Sequence, residues 1–377
     1  MPHKVSFVRD LEELPLSAEE KERLRPVAEK YPFFCSSYYL RLINFKDPAD
    51  PLRRVVVPEE GELESWGRVD PSNEANYTVM EGVQHKYDST VLVLASDRCA
   101  ALCRYCFRKR LFLRGSERRP ERLRNLRELV RYLEGHPEVS NVIFSGGDAL
   151  MLSTSRIKEL LEAVIHIPHI RYIRFGSRLF SYWPERILND PQLLELFRRY
   201  SRPGKRLYVV THFDHPRELT AEARKACDLL LRAGVHLLNQ CPLIRGVNDH
   251  PVVLAELFRE LAGLGVSPYY VFQCRPTLGN RPYAVPIEEG YTIFEKARGM
   301  VSGVAKRVRF VMSHALGKLE IAALTRETVI FKFHRAARNT DTGKVLVYAR
   351  HPEAYWLDDY SELVEEVPLE GDLPQAM

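Results

Sequence analysis

Six short apolar runs, separated by segments with helical periodicity, restrict the fold of this 377-residue chain more than any other feature. The runs are residues 90–95, 141–144, 172–175, 207–211, 235–238 and 269–272. Of the intervening segments, residues 221–231 place their apolar residues on one face before Gly234, and residues 252–264 lie between Pro251 and Gly265. This alternation predicts an α/β fold with a parallel sheet, as either an open doubly wound sheet or a partial barrel.

The loop after the first run contains three cysteines in eight residues, in the sequence SDRCAALCRYCFRKRLF. Thiolates from Cys99, Cys103 and Cys106 can hold three irons of a [4Fe–4S] cubane and leave the fourth iron open to a substrate. The alternatives are a zinc site or three buried thiols, but no fourth ligand is obvious nearby. The neighbouring basic residues suit an anionic cluster; they are Arg98, Arg104, Arg108, Lys109 and Arg110.

A second polar motif, Ser145-Gly146-Gly147-Asp148, follows the second apolar run. Consecutive glycines leave backbone groups bare, so a small zwitterionic ligand can approach and hydrogen-bond to them. The alternative is an ordinary turn. Further polar motifs follow the fourth and fifth runs, and the loops beyond the carboxyl ends of parallel strands meet in space. The sequence therefore predicts one active site at that end of the sheet.

Composition excludes several classes of protein. The chain is 45% hydrophobic, and its 55 basic and 50 acidic residues are interspersed, so the charge does not indicate nucleic-acid binding. No run approaches the ~20 apolar residues of a membrane span, and the first residues lack the apolar run of a signal peptide. An odd number of cysteines, seven, suits a reducing compartment. We expect a cytoplasmic protein without membrane association.

Beyond residue 320, alternating residues at 327–334 and 345–349 flank Thr340-Asp341-Thr342-Gly343 and predict a β-hairpin, followed by an acidic tail at 358–372. No cysteine follows Cys274.

Seven sequence blocks together resemble the lysine 2,3-aminomutase family of radical S-adenosylmethionine (SAM) enzymes. They occur in order between Leu16 and Tyr348: LSAEEKERL, SSYYLRLINFKDPADPLRR, CRYCFRKR, FSGGDALML, VVTHFDHPRELT, NQCPLIRGVND and YYVFQCRPTLG. The resemblance implies a partial (βα)6 barrel at 85–320, a mostly helical N-terminal extension at 1–84, and the hairpin and tail at 321–377. The family's C-terminal cysteine cluster is missing, which disfavours an extra metal site at a subunit interface.

The resemblance also implies the chemistry. Family members cleave SAM reductively to a 5′-deoxyadenosyl radical, which abstracts hydrogen from an amino-acid substrate, and pyridoxal phosphate (PLP) carries the migrating amine. An electron donor such as flavodoxin or ferredoxin and a homo-oligomer are expected. Arg108 matches the arginine that pairs with the substrate carboxylate, although it could instead neutralise the cluster. His212 and Gln240 match residues lining the SAM site, and Asn239 is a weaker match. Ser145, Gly146, Gly147 and Asp148 are expected to contact SAM.

Two regions depart from the family pattern. The family's PLP lysine follows a glycine run, PGGGGK, whereas here Lys318 follows Ser313-His314-Ala315-Leu316-Gly317. Lys318 could therefore be the PLP lysine or an ordinary lysine, and His314 could contact the ring or be structural. Arg275 and, approximately, Ser313 occupy the positions of two aspartates that hold the distal ammonium of lysine.

A guanidinium at that position would repel lysine and attract a distal carboxylate, which predicts a glutamate-like substrate unless Arg275 points to solvent. The alternative function is a PLP-independent radical SAM enzyme that dehydrogenates, epimerises or otherwise modifies another substrate. An iron–sulfur electron carrier is a third hypothesis, but it explains only the cysteines.

Overall fold

The computed structural model describes residues 5–113 and 121–369. Its strands are β1 (Phe7–Val8), β2 (Cys35–Ser36), β3 (Thr78–Met80), β4 (Val83–Tyr87), β5 (Thr90–Ser96), β6 (Asn141–Gly146), β7 (Tyr172–Ser177), β8 (Arg206–Thr211), β9 (His236–Pro242), β10 (Ser267–Phe272), β11 (Arg309–His314), β12 (Gly317–Leu324), β13 (Thr328–Ala336), β14 (Val345–Ala349) and β15 (Leu363–Val367). Strands β3 to β15 form one large sheet in which each strand neighbours the next in sequence.

The α-helices of the described residues lie mainly between these strands. They are α1 (Ala18–Lys30), α2 (Ser37–Leu40), α3 (Pro51–Val56), α4 (Leu126–Glu134), α5 (Thr154–Ile165), α6 (Leu179–Tyr182), α7 (Glu185–Leu188), α8 (Pro191–Tyr200), α9 (Ala221–Arg232), α10 (Pro251–Gly263) and α11 (Ile287–Gly299). None of the helices in the described part of the chain is long and apolar enough to cross a membrane.

Strands β5 to β11 run parallel, and this confirms the predicted α/β class. The six apolar runs correspond to β5 to β10, and the two predicted helices correspond to α9 and α10. Gly234 and Gly265, after these helices, have φ values of 79° and 83°, as helix-terminating glycines often do. The seventh parallel strand, β11, was not predicted; its short apolar run, Phe310–Met312, lies between Arg309 and Ser313.

The parallel strands present different side chains on their two faces. On β6 and β7, Val142, Phe144, Ile173 and Phe175 are fully buried, whereas the alternate residues Ile143, Ser145, Arg174 and Gly176 are only half-buried. Alternation of this kind means that one face lies beneath the helices, whose buried residues include Leu160 and Leu161 of α5. The half-buried face includes Ser145 and Arg174, so it is polar near the carboxyl ends of the strands.

Side-chain contacts bring the two ends of the parallel run together. Lys86 of β4 donates to the carbonyl of His314, and the Tyr77 hydroxyl lies 2.7 Å from the carbonyl of Ala315. Arg335 of β13 lies 3.0 Å from the Thr90 hydroxyl at the start of β5. In the described residues β5 pairs only with β4 and β6, so the sheet curls without being closed by backbone hydrogen bonds, as a partial barrel does.

The predicted C-terminal hairpin is confirmed, because β13 and β14 pair antiparallel. The predicted acidic tail contains β15, which pairs with β14, while residues 370–372 of that tail lie outside the described residues. The proposed division of the chain at residues 84/85 and 320/321 falls within β4 and β12, and all three parts contribute to the same sheet. The division remains a proposal about sequence segments.

Candidate active site

The cysteine loop, which we define as residues 97–113, leaves the end of β5 and packs against the glycines that end β6. The amide of Gly147 donates to the carbonyl of Ser96, and the amide of Asp148 donates to the carbonyl of Arg98, both at 2.7 Å. Gly146 has a φ of 109°, and a Cβ there would lie 2.1 Å from the Ser96 oxygen. The glycines therefore allow this close approach of two backbones, and two of the amides predicted to be available to a ligand are bonded to the loop instead.

Asp148 connects the ends of β6 and β7. Its carboxylate accepts hydrogen bonds from the Ser177 hydroxyl at 3.1 Å, the Arg178 amide at 2.6 Å and the Leu150 amide at 2.9 Å. Burial raises the pKa of Asp148 to about 6, although these donors favour the carboxylate. The Asp148 side chain therefore holds the strand ends together. Within the same motif, Ser145 lies on the half-buried face and is near Arg108.

The three cysteines of the loop are half-buried free thiols. Around a single zinc ion with Zn–S bonds of 2.3 Å, thiolate sulfurs would be roughly 3.8 Å apart. In the described residues the one group of three or more metal-ligating atoms within 4.8 Å of one another does not include these cysteines. The three sulfurs are therefore not gathered as closely as a single tetrahedral zinc ion would hold them. Burial raises the pKa of the Cys106 thiol to about 11, so ligation to a metal would have to displace its proton.

Arg178, just after β7, is a site residue that the sequence patterns did not reveal. Its buried guanidinium donates to the Cys103 sulfur at 3.3 Å and to the carboxylates of Asp214 and Glu218 at 2.6 and 2.8 Å. The Tyr182 hydroxyl also lies 3.0 Å from the same sulfur. Burial lowers the pKa of Arg178, but Asp214 together with Tyr105, Tyr182 and Cys103 more than offsets this and holds the pKa well above its usual range. A permanent positive charge therefore lies against Cys103. The sequence feature that could have indicated Arg178 is its position soon after the third apolar run, where active-site residues are expected.

His212 belongs to the same network, since its Nε2 atom lies 2.9 Å from Asp214 and 3.2 Å from Arg178. Asn239 is structural: its carboxamide accepts from the Phe213 amide at 2.8 Å and donates to the Phe213 carbonyl at 3.1 Å, joining the β8 end to β9. Gln240 is half-buried and makes no side-chain hydrogen bond with the described residues. Of these three residues, His212 and Gln240 retain surface that a ligand could contact.

The basic residues of the loop bind two buried glutamates of the N-terminal extension. The Glu62 carboxylate forms ion pairs with Arg104, at an N–O distance of 2.8 Å, and with Lys109, at 3.3 Å. The Glu74 carboxylate forms ion pairs with Arg108, at an N–O distance of 3.0 Å, and with Arg110, at 2.5 Å. These ion pairs fasten the loop to the extension, and the interpretation that the basic residues suit an anionic cluster stays a prediction.

Arg108 has only part of its guanidinium available for a substrate. Nη2 and Nε donate to the Glu74 carboxylate at 3.0 and 3.3 Å, while Nη1 lies 3.4 Å from the Ser145 hydroxyl. The paired N–H groups of Nε and Nη2 that could bind a substrate carboxylate are thus occupied by Glu74, and the Nη1 end of the guanidinium remains for a ligand beside β6.

Arg275 points towards the cysteine loop rather than to solvent. Its Cζ atom lies 3.8 Å from the centre of the Phe107 ring, and its buried Nη1 atom has no hydrogen-bond partner among the described residues. Burial lowers the pKa of Arg275 to about 10, against the opposing effect of Glu74. Ser313, the other expected substrate residue, lies on β11 and pairs across the hairpin with Lys318.

Lys318 lies on β12 with its amine 4.0 Å from the centre of the Tyr270 ring and 5.2 Å from that of Phe272. Burial lowers its pKa well below 10.5, and nearby positive charges lower it further. Those charges and Lys318 together form a set that we call the basic cluster: Lys86, Arg174, Arg275, Lys318 and Arg335. None of the five makes an ion pair within 4 Å of a carboxylate in the described part of the chain.

His314 contacts the C-terminal segment rather than Lys318. Its Nε2 atom lies 3.0 Å from Asp358, and its Nδ1 atom accepts from the Leu316 amide at 3.2 Å. Nδ1 therefore carries the lone pair and the imidazole donates to Asp358. This arrangement supports the structural interpretation of His314.

Comparison with known proteins fits this arrangement. Residues 93–258 match the Radical SAM superfamily. A protein of Aquifex aeolicus, provisionally named L-lysine 2,3-aminomutase, is 48% identical over 97% of this chain and 98% of its own length. The L-lysine 2,3-aminomutase of Clostridium subterminale is 34% identical over 80% and 71%. A glutamate 2,3-aminomutase of Clostridioides difficile is 32% identical over 78% and 68%.

The superfamily match includes the three cysteines, the glycines that seat their loop, and Arg178. Its cofactors are a [4Fe–4S] cluster and SAM, and three cysteines on one loop are a donor set that holds three irons of such a cluster. Since the Aquifex relative aligns over almost the whole of both chains, the match extends beyond the shared cofactor machinery to the extension, the hairpin and the segments carrying Arg275 and Lys318. The protein is accordingly an isomerase, and the chain belongs to the lysine 2,3-aminomutase family of radical SAM enzymes.

Proposed function

We propose that this enzyme moves an amino group between adjacent carbons of a short amino acid with a distal carboxylate, such as glutamate, and that it does so with PLP attached at Lys318. The observation that carries the proposal is the basic cluster, whose five cationic side chains make no ion pair with a carboxylate of the described residues. Buried or half-buried cations without counter-charges are costly, and an anionic ligand would relieve that cost.

Charge balance decides between an acidic and a basic substrate. Asp70 lies close enough to influence Lys86 and Arg275, but Glu74 is already bound by Arg108 and Arg110. If Lys318 carries PLP and Arg174 and Arg335 face its phosphate, Lys86 and Arg275 remain opposite one carboxylate, and the ammonium of lysine would add a positive charge where burial strengthens repulsion. A substrate with two carboxylates reverses that interaction. The relationship to a glutamate 2,3-aminomutase is compatible with this choice.

Arg275 is the side chain best placed to receive the distal carboxylate. Its unpartnered Nη1 is buried beside Phe107, which follows the cluster ligand Cys106 directly. A substrate carboxylate oxygen beside Nη1 would accept a hydrogen bond from this unpartnered N–H group. Such a charge-assisted hydrogen bond typically contributes ~1.5–3 kcal/mol. The remaining Nη1 atom of Arg108 beside Ser145 is our candidate for the α-carboxylate.

Lys318 fits the PLP-binding role chemically. Burial lowers the pKa of the Lys318 amine, which favours its uncharged form, and an uncharged amine is the nucleophile that a carbonyl requires. Arg174 and Arg335 are cations suited to the phosphate. When bound, PLP supplies the π system that amino migration requires.

One observation favours the second candidate function, hydrogen abstraction without PLP. Lys318 lies in a paired strand over Tyr270 and is preceded by a single glycine, so its backbone has less freedom than the family's glycine run would give. In that case the basic cluster would bind a different anionic substrate.

The test compares two arginines that follow β10 and stack on aromatic rings. Arg275 stacks on Phe107 beside the cysteine loop, whereas Arg281 stacks on Tyr355 at 4.2 Å. Reduced enzyme and SAM are incubated with glutamate or lysine, and 5′-deoxyadenosine and β-amino acid are measured. We expect turnover of glutamate, with kcat/KM at least about tenfold lower in Arg275→Gln and nearly unchanged in Arg281→Gln.

Efficient turnover of lysine by the unmodified enzyme would overturn the charge argument. Substrate-dependent 5′-deoxyadenosine without a β-amino acid, together with no PLP adduct, would favour the second candidate.

We also propose the setting in which the enzyme works. All seven cysteines are free thiols, which suits a reducing cytoplasm, and a reductant such as flavodoxin or ferredoxin would supply the electron. A homo-oligomer formed through the C-terminal strands is proposed from the edge position of β15, whose residues are all exposed.

A further inference from the structure

A second group of metal-ligating side chains lies away from the active site. His85 is on β4, and His136 and Glu138 are in the loop between α4 and β6. One ligand atom from each lies within 4.8 Å of the other two, and no other set of three or more in the described ranges 5–113 and 121–369 meets that criterion. This loop enters β6 at its amino end, whereas the cysteine loop follows the carboxyl end of β5.

The hydrogen bonds of His85 leave one ring nitrogen with a lone pair. Its Nε2 atom lies 3.0 Å from the carbonyl oxygen of Asp88, and a carbonyl can only accept, so Nε2 carries the hydrogen. In the neutral imidazole Nδ1 then accepts from the Tyr132 hydroxyl, 2.8 Å away. Metal-binding histidines usually have a backbone carbonyl that fixes the tautomer in this way, and a metal ion at Nδ1 would take the place of the Tyr132 hydroxyl.

His136 and Glu138 supply the other two ligands. His136 Nδ1 lies 2.7 Å from a Glu138 oxygen, and the imidazole packs on the Tyr132 ring with centroids 4.1 Å apart. Burial slightly opposes ionisation of Glu138, but His136 lowers its pKa, so the carboxylate is charged at neutral pH. Around one zinc ion a nitrogen and an oxygen ligand would be roughly 3.3 Å apart. Both side chains are more than one-third exposed, so they can adjust by that amount and an ion can reach them.

We propose that His85, His136 and Glu138 bind a divalent transition metal of the zinc class, with water as the fourth ligand. Two imidazoles and a carboxylate form a donor set that zinc uses in proteins, and the site contains no thiolate that would attract iron–sulfur chemistry. The ion would tie β4 to the loop that enters β6. Since Lys86 is adjacent to His85 on β4, the site would also restrain the strand that carries one member of the basic cluster.

The test uses the full chain with its iron–sulfur cluster reconstituted. Zinc chloride is titrated by calorimetry, and iron and zinc per chain are measured after gel filtration. We expect one zinc ion per chain in addition to the iron, and affinity at least about tenfold weaker in His136→Ala and in Glu138→Gln. His166→Ala, which removes an exposed histidine on the other side of β6 in sequence, is the matched control and should bind zinc as the unmodified enzyme does.

Unchanged iron content and SAM cleavage in the variants would show that they are folded. The proposal is overturned if the reconstituted, unmodified enzyme binds no zinc. It is also overturned if both variants bind zinc with the affinity of the unmodified enzyme.

Discussion

Removing the charge of Glu62 should destabilise the protein more than any comparable change in the N-terminal extension. Glu62 is fully buried and accepts from Arg104 through two atoms at 2.8 Å, from Lys109 at 3.3 Å and from the Tyr283 hydroxyl at 2.9 Å. Burial raises its pKa, but Arg104 and Lys109 hold it below 4.5, so the carboxylate is ionised at neutral pH. Glu62→Gln preserves the shape and leaves two buried cations without a counter-charge.

The magnitude follows from the cost of breaking a buried ion pair, about 3–5 kcal/mol when one partner is removed. This is a large part of the roughly 5–15 kcal/mol by which a typical domain is stable. Chemical unfolding of the reconstituted enzyme, followed by fluorescence with iron content measured in parallel, should show that loss together with lower iron retention. Glu60→Gln is the control: its contact with Arg23 is exposed and 3.7 Å long, so a change below about 0.5 kcal/mol is expected.

The pH dependence has a defined sign. A carboxyl group whose pKa is lower in the folded protein stabilises the fold above its unfolded pKa, and that stabilisation is lost as the pH falls through the folded value. The difference between unmodified enzyme and Glu62→Gln should therefore be largest above pH 4.5 and shrink in more acidic solution. A variant within about 1 kcal/mol of the unmodified enzyme at pH 7, with full iron content, would refute the assignment of Glu62 as the anchor of the cysteine loop.

Three further predictions concern the cofactors. Replacing Cys99, Cys103 or Cys106 by Ala should abolish SAM cleavage, whereas Cys35→Ala and Cys227→Ala should not; retained cleavage in Cys103→Ala would contradict the cluster assignment. Arg178→Gln should lower the reduction potential of the cluster in an EPR-monitored redox titration, because a cation hydrogen-bonded to Cys103 is lost, and Arg178→Lys should shift it less. PLP should form a borohydride-reducible adduct at Lys318, and its formation should not require the pH to approach 10.5, because the pKa of this amine is lowered; an adduct only at another lysine would contradict the role.

The sequence predicted the parallel strands well because their apolar runs are local features. The runs from 90–95 to 269–272 are rich in apolar residues, although Arg174 and His236 interrupt two of them, and the glycines after α9 and α10 lie where the helices end. Strand β11 was missed because pairing with β10, rather than its own short apolar run, makes it a strand. The edge strand β15, which pairs with β14, was missed because its exposed residues carry no burial pattern.

Charge pairing was the part of the site that the sequence could not supply. Arg104 and Glu62 are 42 residues apart, and Arg108 and Glu74 are 34 apart, so no local pattern indicates that they meet. The cysteines themselves could be recognised because their spacing is a local motif. The orientation of Arg275 depends on how the segment after β10 folds back over Phe107, which only the three-dimensional arrangement defines.

The contacts of Glu62 link the cluster to the proposed substrate arginine. Lys109, held by Glu62, also donates to the carbonyl of Gly279 at 2.8 Å, and Asn280 donates to the carbonyl of Tyr105 at 2.9 Å. The segment that begins with Arg275 is therefore fastened to the cysteine loop at several points around one buried carboxylate. Because an error of about 1 Å in a reacting geometry can lower a rate ~100-fold, iron retention and kcat/KM for a diacidic substrate should decline together in Glu62→Gln. Loss of one without the other would mean that the cluster and Arg275 are positioned independently.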